Sequence, residues 1–228
     1  MAKSNLNFRL SSRQLSARFI GYGGIRTEHI LQPKEKFHGS DPKRHTAAKF
    51  TRAIREFEPD TVLIMIGDND IRSDSDPDTI AAHIIVTGST IKRRHNIKNV
   101  VICLLLPRIH DGSSEYNRIA WQVNERILHD APLAGLIAHD HGFRFPQWST
   151  RSERLQDELN FVRDGVHLVE ARQGGYAKLV RSLRHVAISL SKNVIGSPHR
   201  LLVLGHSHVK RVERHLRTLD NAQRVLRH

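Results

Sequence analysis

The chain has 228 residues, 39% of them hydrophobic, which suits one large or two small domains with a sizeable core and excludes disorder as a description of the whole. Lys and Arg number 36 against 23 Asp and Glu, a formal charge of +13 that 16 histidines raise further as pH falls, so a polyanionic partner has to be considered. The single cysteine, Cys103, excludes an intramolecular disulfide and any zinc site built from cysteines.

Met1 to Leu10 alternates polar and apolar residues without the apolar core of a signal peptide, and no run approaches the roughly 18 apolar residues of a membrane span. The expectation is a cytoplasmic protein with no membrane span. A weak strand is expected around Ser16 to Ile20, ended by Gly21. Phe50, Ala53, Ile54 and Phe57 then form one helical face, stopped by Pro59. The apolar run Thr61 to Ile66, ended by Gly67, predicts a strand covered on both faces. A helix is expected from Asp76 to Thr79 toward Arg94, although Thr87-Gly88 weakens it. Val100 to Leu106, ended by Pro107, is a second buried strand, and Tyr116, Ile119, Ala120, Val123 and Ile127 mark a helix stopped near Pro132. Ala138 to Glu158 reads as a loop with some local structure. Leu179, Leu183, Val186 and Leu190 predict a helix, Asn193 to Arg200 a linker, Leu201 to Leu204 a strand ended by Gly205, and Val209, Val212, Leu216 and Leu219 a last helix. This alternation predicts an α/β sandwich with a mainly parallel sheet.

Ligand-binding groups in such sheets gather beyond the C-terminal strand ends. After the strand at 201–204 comes Gly205-His206-Ser207-His208, where a serine on a sharp strand-to-helix turn exposes its Oγ near free backbone N–H groups. Gly21-Tyr22-Gly23-Gly24 can bring backbone N–H groups against a ligand, and Gly67-Asp68-Asn69-Asp70 supplies an amide at the same edge. Asp164-Gly165-Val166-His167 sets a carboxylate three residues from an imidazole. Singly, each is more often a cap, a turn or a surface pair. Together they supply a nucleophile, a base, an orienting acid and oxyanion donors.

These motifs resemble the SGNH or GDSL hydrolases. Gly21 to Leu31 looks like the family's second block, as it occurs in platelet-activating-factor acetylhydrolase-like members; Gly67-Asp68-Asn69-Asp70 resembles the third and Asp164-Gly165-Val166-His167-Leu168 the last. Gly205-His206-Ser207-His208 resembles the first block, with His206 where the family usually has Asp. The resemblance implies a flavodoxin-like three-layer α/β/α sandwich and covers about Ser16 to Leu216. Its larger departure is order, because the serine block comes last. Either the domain is circularly permuted, or residues 1–195 are a body lacking its first strand and 200–228 begin a truncated second copy. Physically, one composite domain over 1–228 is expected. Without the central strand the sheet would have two open edges and a slot in its core, and a short linker lets the strand at 201–204 enter that slot. Entry into a neighbouring chain's slot, a domain swap, would serve equally.

The resemblance implies a serine ester hydrolase acting on a small acyl ester, with Ser207 as nucleophile, His167 as base and Asp164 orienting it. The Ser207 and Gly24 backbone N–H groups and the Asn69 amide would form the oxyanion hole, and no cofactor or metal is needed. One competitor is a binding or relic protein that keeps the fold without turnover, suggested by His206 and the displaced serine. Another is a nucleic-acid-associated module, motivated by the charge and by resemblance to esterase domains of some retrotransposon-encoded proteins. Residues 1–60 carry 12 Lys/Arg against 6 Asp/Glu, residues 61–200 carry 18 against 15, and 201–228 carry 6 against 2. This excess at the two ends has no basic block and little aromatic interleaving, which fits a solvated basic surface, with weak attraction to nucleic acid or an anionic membrane as the alternative. A metal hydrolase built from histidines is disfavoured, since no HExxH spacing occurs.

Overall fold

The computed structural model describes residues 15–31, 45–109, 113–141, 160–170, 174–191 and 198–225. Five strands, β1 (Leu15–Gly21), β2 (Thr61–Met65), β3 (Asn99–Cys103), β4 (Ile137–His139) and β5 (His199–Gly205), form one sheet in the order β1-β5-β2-β3-β4. Every pairing is parallel. If counting starts at β5, the order becomes 2-1-3-4-5, the flavodoxin-like arrangement. The C-terminal strand fills the slot between β1 and β2, as the open edges require. Leu15 pairs with His199 at one end and Gly21 with Gly205 at the other, while Thr61 to Met65 run beside Leu201 to Gly205.

The helices are α1 (Glu28–Leu31), α2 (Thr46–Phe57), α3 (Pro77–His95), α4 (Ser113–Leu133), α5 (Gly175–Ser191) and α6 (Ser207–Val225). Successive strand side chains point to opposite faces, so the sheet has two cores. Leu63, Val101, Leu201 and Val203 pack with Leu179 and Leu183 of α5 and Val209, Val212 and Leu216 of α6. Val62, Ile64, Val100, Ile102, Leu202 and Leu204 pack with α2, α3 and α4 through Phe50, Ile84, Ile119 and Val123. The result is a three-layer α/β/α sandwich. No helix among the described residues is long and apolar enough to cross a membrane.

Several boundaries differ from the sequence reading. The weak first strand is a full seven-residue strand, because pairing with β5 along its length supplies what its composition lacks. The apolar run Val100 to Leu106 leaves the sheet after Cys103, with Leu104 to Leu106 buried beyond the strand end. In α3, Asp76 caps the first turn by accepting from the Asp78 and Thr79 N–H groups, and the helix continues through Thr87-Gly88. A Cβ at Gly88 would stand 2.9 Å from Ile102 Cδ1, so the glycine lets α3 lie close on β3, and packing overrides propensity. Helix α4 includes Pro132 in its last turn. The expected loop from Ala138 begins inside β4 and the expected linker ends inside β5 at His199 and Arg200; residues 142–159 and 192–197 lie outside the described residues.

Candidate active site

Four segments meet at the C-terminal edge of the sheet. Strand pairing continues past the strand ends, with the Tyr22 N–H donating to the Gly205 carbonyl at 2.9 Å and the His206 N–H to the Met65 carbonyl at 3.1 Å. Gly205 is required by this approach, since a Cβ there would lie 2.2 Å from the Met65 carbonyl oxygen. The chain therefore turns from β5 into α6 at a fixed place, with half-buried Ser207 as the first helical residue.

The turns after β1 and β2 are tied to each other. Asn69 Nδ2 donates to the Ile25 carbonyl at 3.0 Å. The Asp70 carboxylate accepts from the Thr27 N–H at 3.1 Å and from Thr27 Oγ1 at 2.7 Å. Burial pushes the Asp70 carboxyl up, against the pull of the Thr27 bonds. These contacts tie the Ile25–Thr27 segment to Asn69 and Asp70, and the Asn69 amide carries a second hydrogen.

The segment 160–170 forms the opposite wall. Phe161 and Leu168 make an antiparallel bridge, and the Val162 N–H donates to the His167 carbonyl at 2.8 Å. Inside this loop Asp164 Oδ1 accepts the N–H groups of Val166, at 2.9 Å, and His167, at 2.8 Å, while Oδ2 lies 2.6 Å from His167 Nδ1. Slight burial pushes the Asp164 carboxyl up, but these hydrogen bonds and the His167 ring together bring it down to about 2. With Nδ1 engaged, Nε2 is the ring nitrogen of His167 that Asp164 does not hold.

The His167 ring lies 6.1 Å, centroid to centroid, from that of His208, the residue after Ser207. The loop bearing His167 and the serine turn are thus neighbours. Among the described residues no hydrogen bond joins Ser207 Oγ to His167, whose ring is engaged by Asp164.

Sequence reasoning missed the buried support beneath this edge. His208 Nδ1 pairs with the Tyr176 hydroxyl at 2.8 Å, and burial pushes the His208 imidazole down to about 3. His206 Nε2 lies 2.7 Å from Asp68 Oδ2, both side chains being largely buried. Tyr116 donates to Asp68 Oδ1 at 3.0 Å, and the Arg108 guanidinium stacks 3.8 Å above the Tyr116 ring. Burial opposes charge on Asp68, yet the His206 attraction and hydrogen bond hold its carboxyl well below the usual range. The available signal was the acidic residue between Gly67 and Asn69, read together with a histidine before the serine. A further trio joins half-buried His139 Nε2 and buried His141 Nδ1 to the buried Ser182 Oγ, each at 2.8 Å.

Cys103 is buried in β3, and burial pushes its thiol far up, which removes it as a nucleophile. No cluster of three or more metal-ligating side chains occurs among the described residues. No protein-family model matches the chain, and no curated protein matches it.

Proposed function

We propose that the protein is a serine ester hydrolase of the SGNH or GDSL type, acting on small acyl esters. The observation that carries this reading is the Asp164–His167 pair at 2.6 Å, on a loop that packs against the turn bearing Ser207. The dyad leaves His167 Nε2 on the side available to a nucleophile. His167 takes the proton of Ser207 as Oγ attacks the ester carbonyl, and Asp164 stabilises the imidazolium formed. The Ser207 and Gly24 N–H groups and the Asn69 amide receive the oxyanion. His167 then returns the proton to the leaving alcohol, and water, activated by the same imidazole, releases the acid from the acyl-enzyme.

A second reading, a binding protein that keeps the fold without turnover, draws on the missing Ser207–His167 hydrogen bond. Hydrolysis of a short p-nitrophenyl ester separates the two. The hydrolase reading expects turnover by the parent protein and its loss in Ser207→Ala; equal rates in both would overturn it.

A further inference from the structure

The Asp68–His206 contact sits beneath the candidate site, and its logic lies in adjacency. His206 precedes Ser207 and Asp68 precedes Asn69. A bond between 206 and 68 therefore fixes the turn of the nucleophile against the turn of the oxyanion amide. The bond is 2.7 Å long, with 5% and 12% of the two side chains exposed, so water competes little for it.

The other face of the imidazole points at the helix. Helix α6 starts at Ser207, and the His208 N–H lies 3.5 Å from His206 Nδ1. The His206 carbonyl accepts the Val209 N–H at 3.1 Å. His206 thus stands at the N-cap, a position usually held by a short oxygen-bearing side chain. A nitrogen that faces an N–H acts as the acceptor, so Nε2 carries the proton donated to Asp68. The order is helix N–H, imidazole, carboxylate: the negative charge that favours a helix N-terminus is present one residue further out. A carboxylate at 206 would instead share a buried site with Asp68, and two like charges there would force one to be neutral. The remaining groups around Asp68 fit this role. Tyr116 holds Oδ1, and Arg108 Nη2 donates to the Asp68 carbonyl at 3.2 Å. The Asp68 charge in turn draws the His208 and His141 imidazoles up against the stronger lowering by burial.

We propose that Asp68 is a positioning residue of the candidate site: through His206 it caps the helix that carries Ser207 and holds the nucleophile in register with Asn69. This rests on the hydrolase reading, since positioning has meaning only for a reacting serine. Asp68 contacts no reacting atom in this scheme and acts only through His206 and the turn.

The test compares the parent, Asp68→Asn, His206→Asp and the double variant D68N/H206D. The double variant keeps one carboxylate and one donor and places the carboxylate directly at the cap. Two readouts are followed: amide hydrogen exchange at residues 207–209, and hydrolysis of a short p-nitrophenyl ester. Each single variant is expected to speed exchange at the turn and to lower kcat on the order of 10- to 100-fold with little change in KM. The double variant should recover most of both. Unchanged exchange and kcat in Asp68→Asn would overturn the proposal, as would faster exchange with unchanged kcat, which makes the pair structural only. If a single variant does not fold, the double variant decides: near-parent exchange and kcat support the proposal, and loss of either overturns it. A parent without hydrolysis sinks the hydrolase reading and positioning with it, whereas an active parent with an unaffected Asp68→Asn sinks positioning alone.

Discussion

Asp164 divides its two carboxylate oxygens between two tasks, with Oδ1 holding the backbone of its own turn and Oδ2 lying 2.6 Å from His167 Nδ1. The residue that engages the His167 ring is therefore also the residue that shapes the loop carrying that ring. The amide in Asp164→Asn keeps its oxygen for the backbone bonds but turns its NH2, a donor, toward Nδ1. On the proposed mechanism kcat should fall on the order of 10³–10⁴-fold, with the thermal midpoint nearly unchanged. Steady-state ester hydrolysis and a melting curve on the same variant check both halves.

Asn69 bridges the second turn to the first through the Ile25 carbonyl. Asn69→Ala removes that bond and the proposed oxyanion donor together. The expected loss is about 10²–10³ in kcat with KM little moved. A fall in KM-dependent binding alone would place Asn69 in substrate contact and outside the oxyanion hole.

Gly205 pairs with Met65 across β5 and β2, with no room for a Cβ beside the Met65 carbonyl. Gly205→Ala must push the two central strands apart or bend the serine turn. Overpacking of this kind costs about 1–3 kcal/mol, readable as a lower denaturation midpoint. Because the same turn carries Ser207, the variant should lose activity before it loses its fold.

Acid should destabilise the protein well above the range in which carboxylates titrate. His208 and His141 are buried, and burial pushes each imidazole down to about 3. In the unfolded chain both titrate near about 6.5. Below that pH the unfolded state binds a proton at each and the folded state binds none, so stability falls as pH drops from about 6.5 toward about 3. The slope is about 1.4 kcal/mol per pH unit for each group, or roughly 3 for the two. Asp68, whose carboxyl is lowered, acts in the same sense in a lower window: its stabilisation is present above about 4 and is lost only as pH falls below that. Melting temperatures at about pH 7, 6 and 5 should fall step by step; a flat series would contradict neutral buried imidazoles.

The strands and their layers were legible because they follow from hydrophobic period alone. Thr61 to Met65 and Leu201 to Leu204 are apolar on both faces, and the sheet covers both faces. β4 was not legible, because Ile137 to His139 is a short edge strand whose pairing partner, not its composition, makes it a strand. Thr87 and Gly88 argued against a helix that Ile102 and Leu136 accommodate from across the core. At the site, the Asp164–His167 pair was readable because its three-residue spacing closes a local turn. The Asp68–His206 contact joins residues 138 positions apart and depends on burial, which no local pattern expresses.

The central claim is that Ser207 is a nucleophile. Intact-mass measurement after reaction with a fluorophosphonate, followed by peptide mapping, tests it most directly. The account predicts one adduct, located on Ser207, absent from Ser207→Ala and strongly slowed in His167→Ala. No adduct on the folded parent, or an adduct that persists in Ser207→Ala, would contradict it.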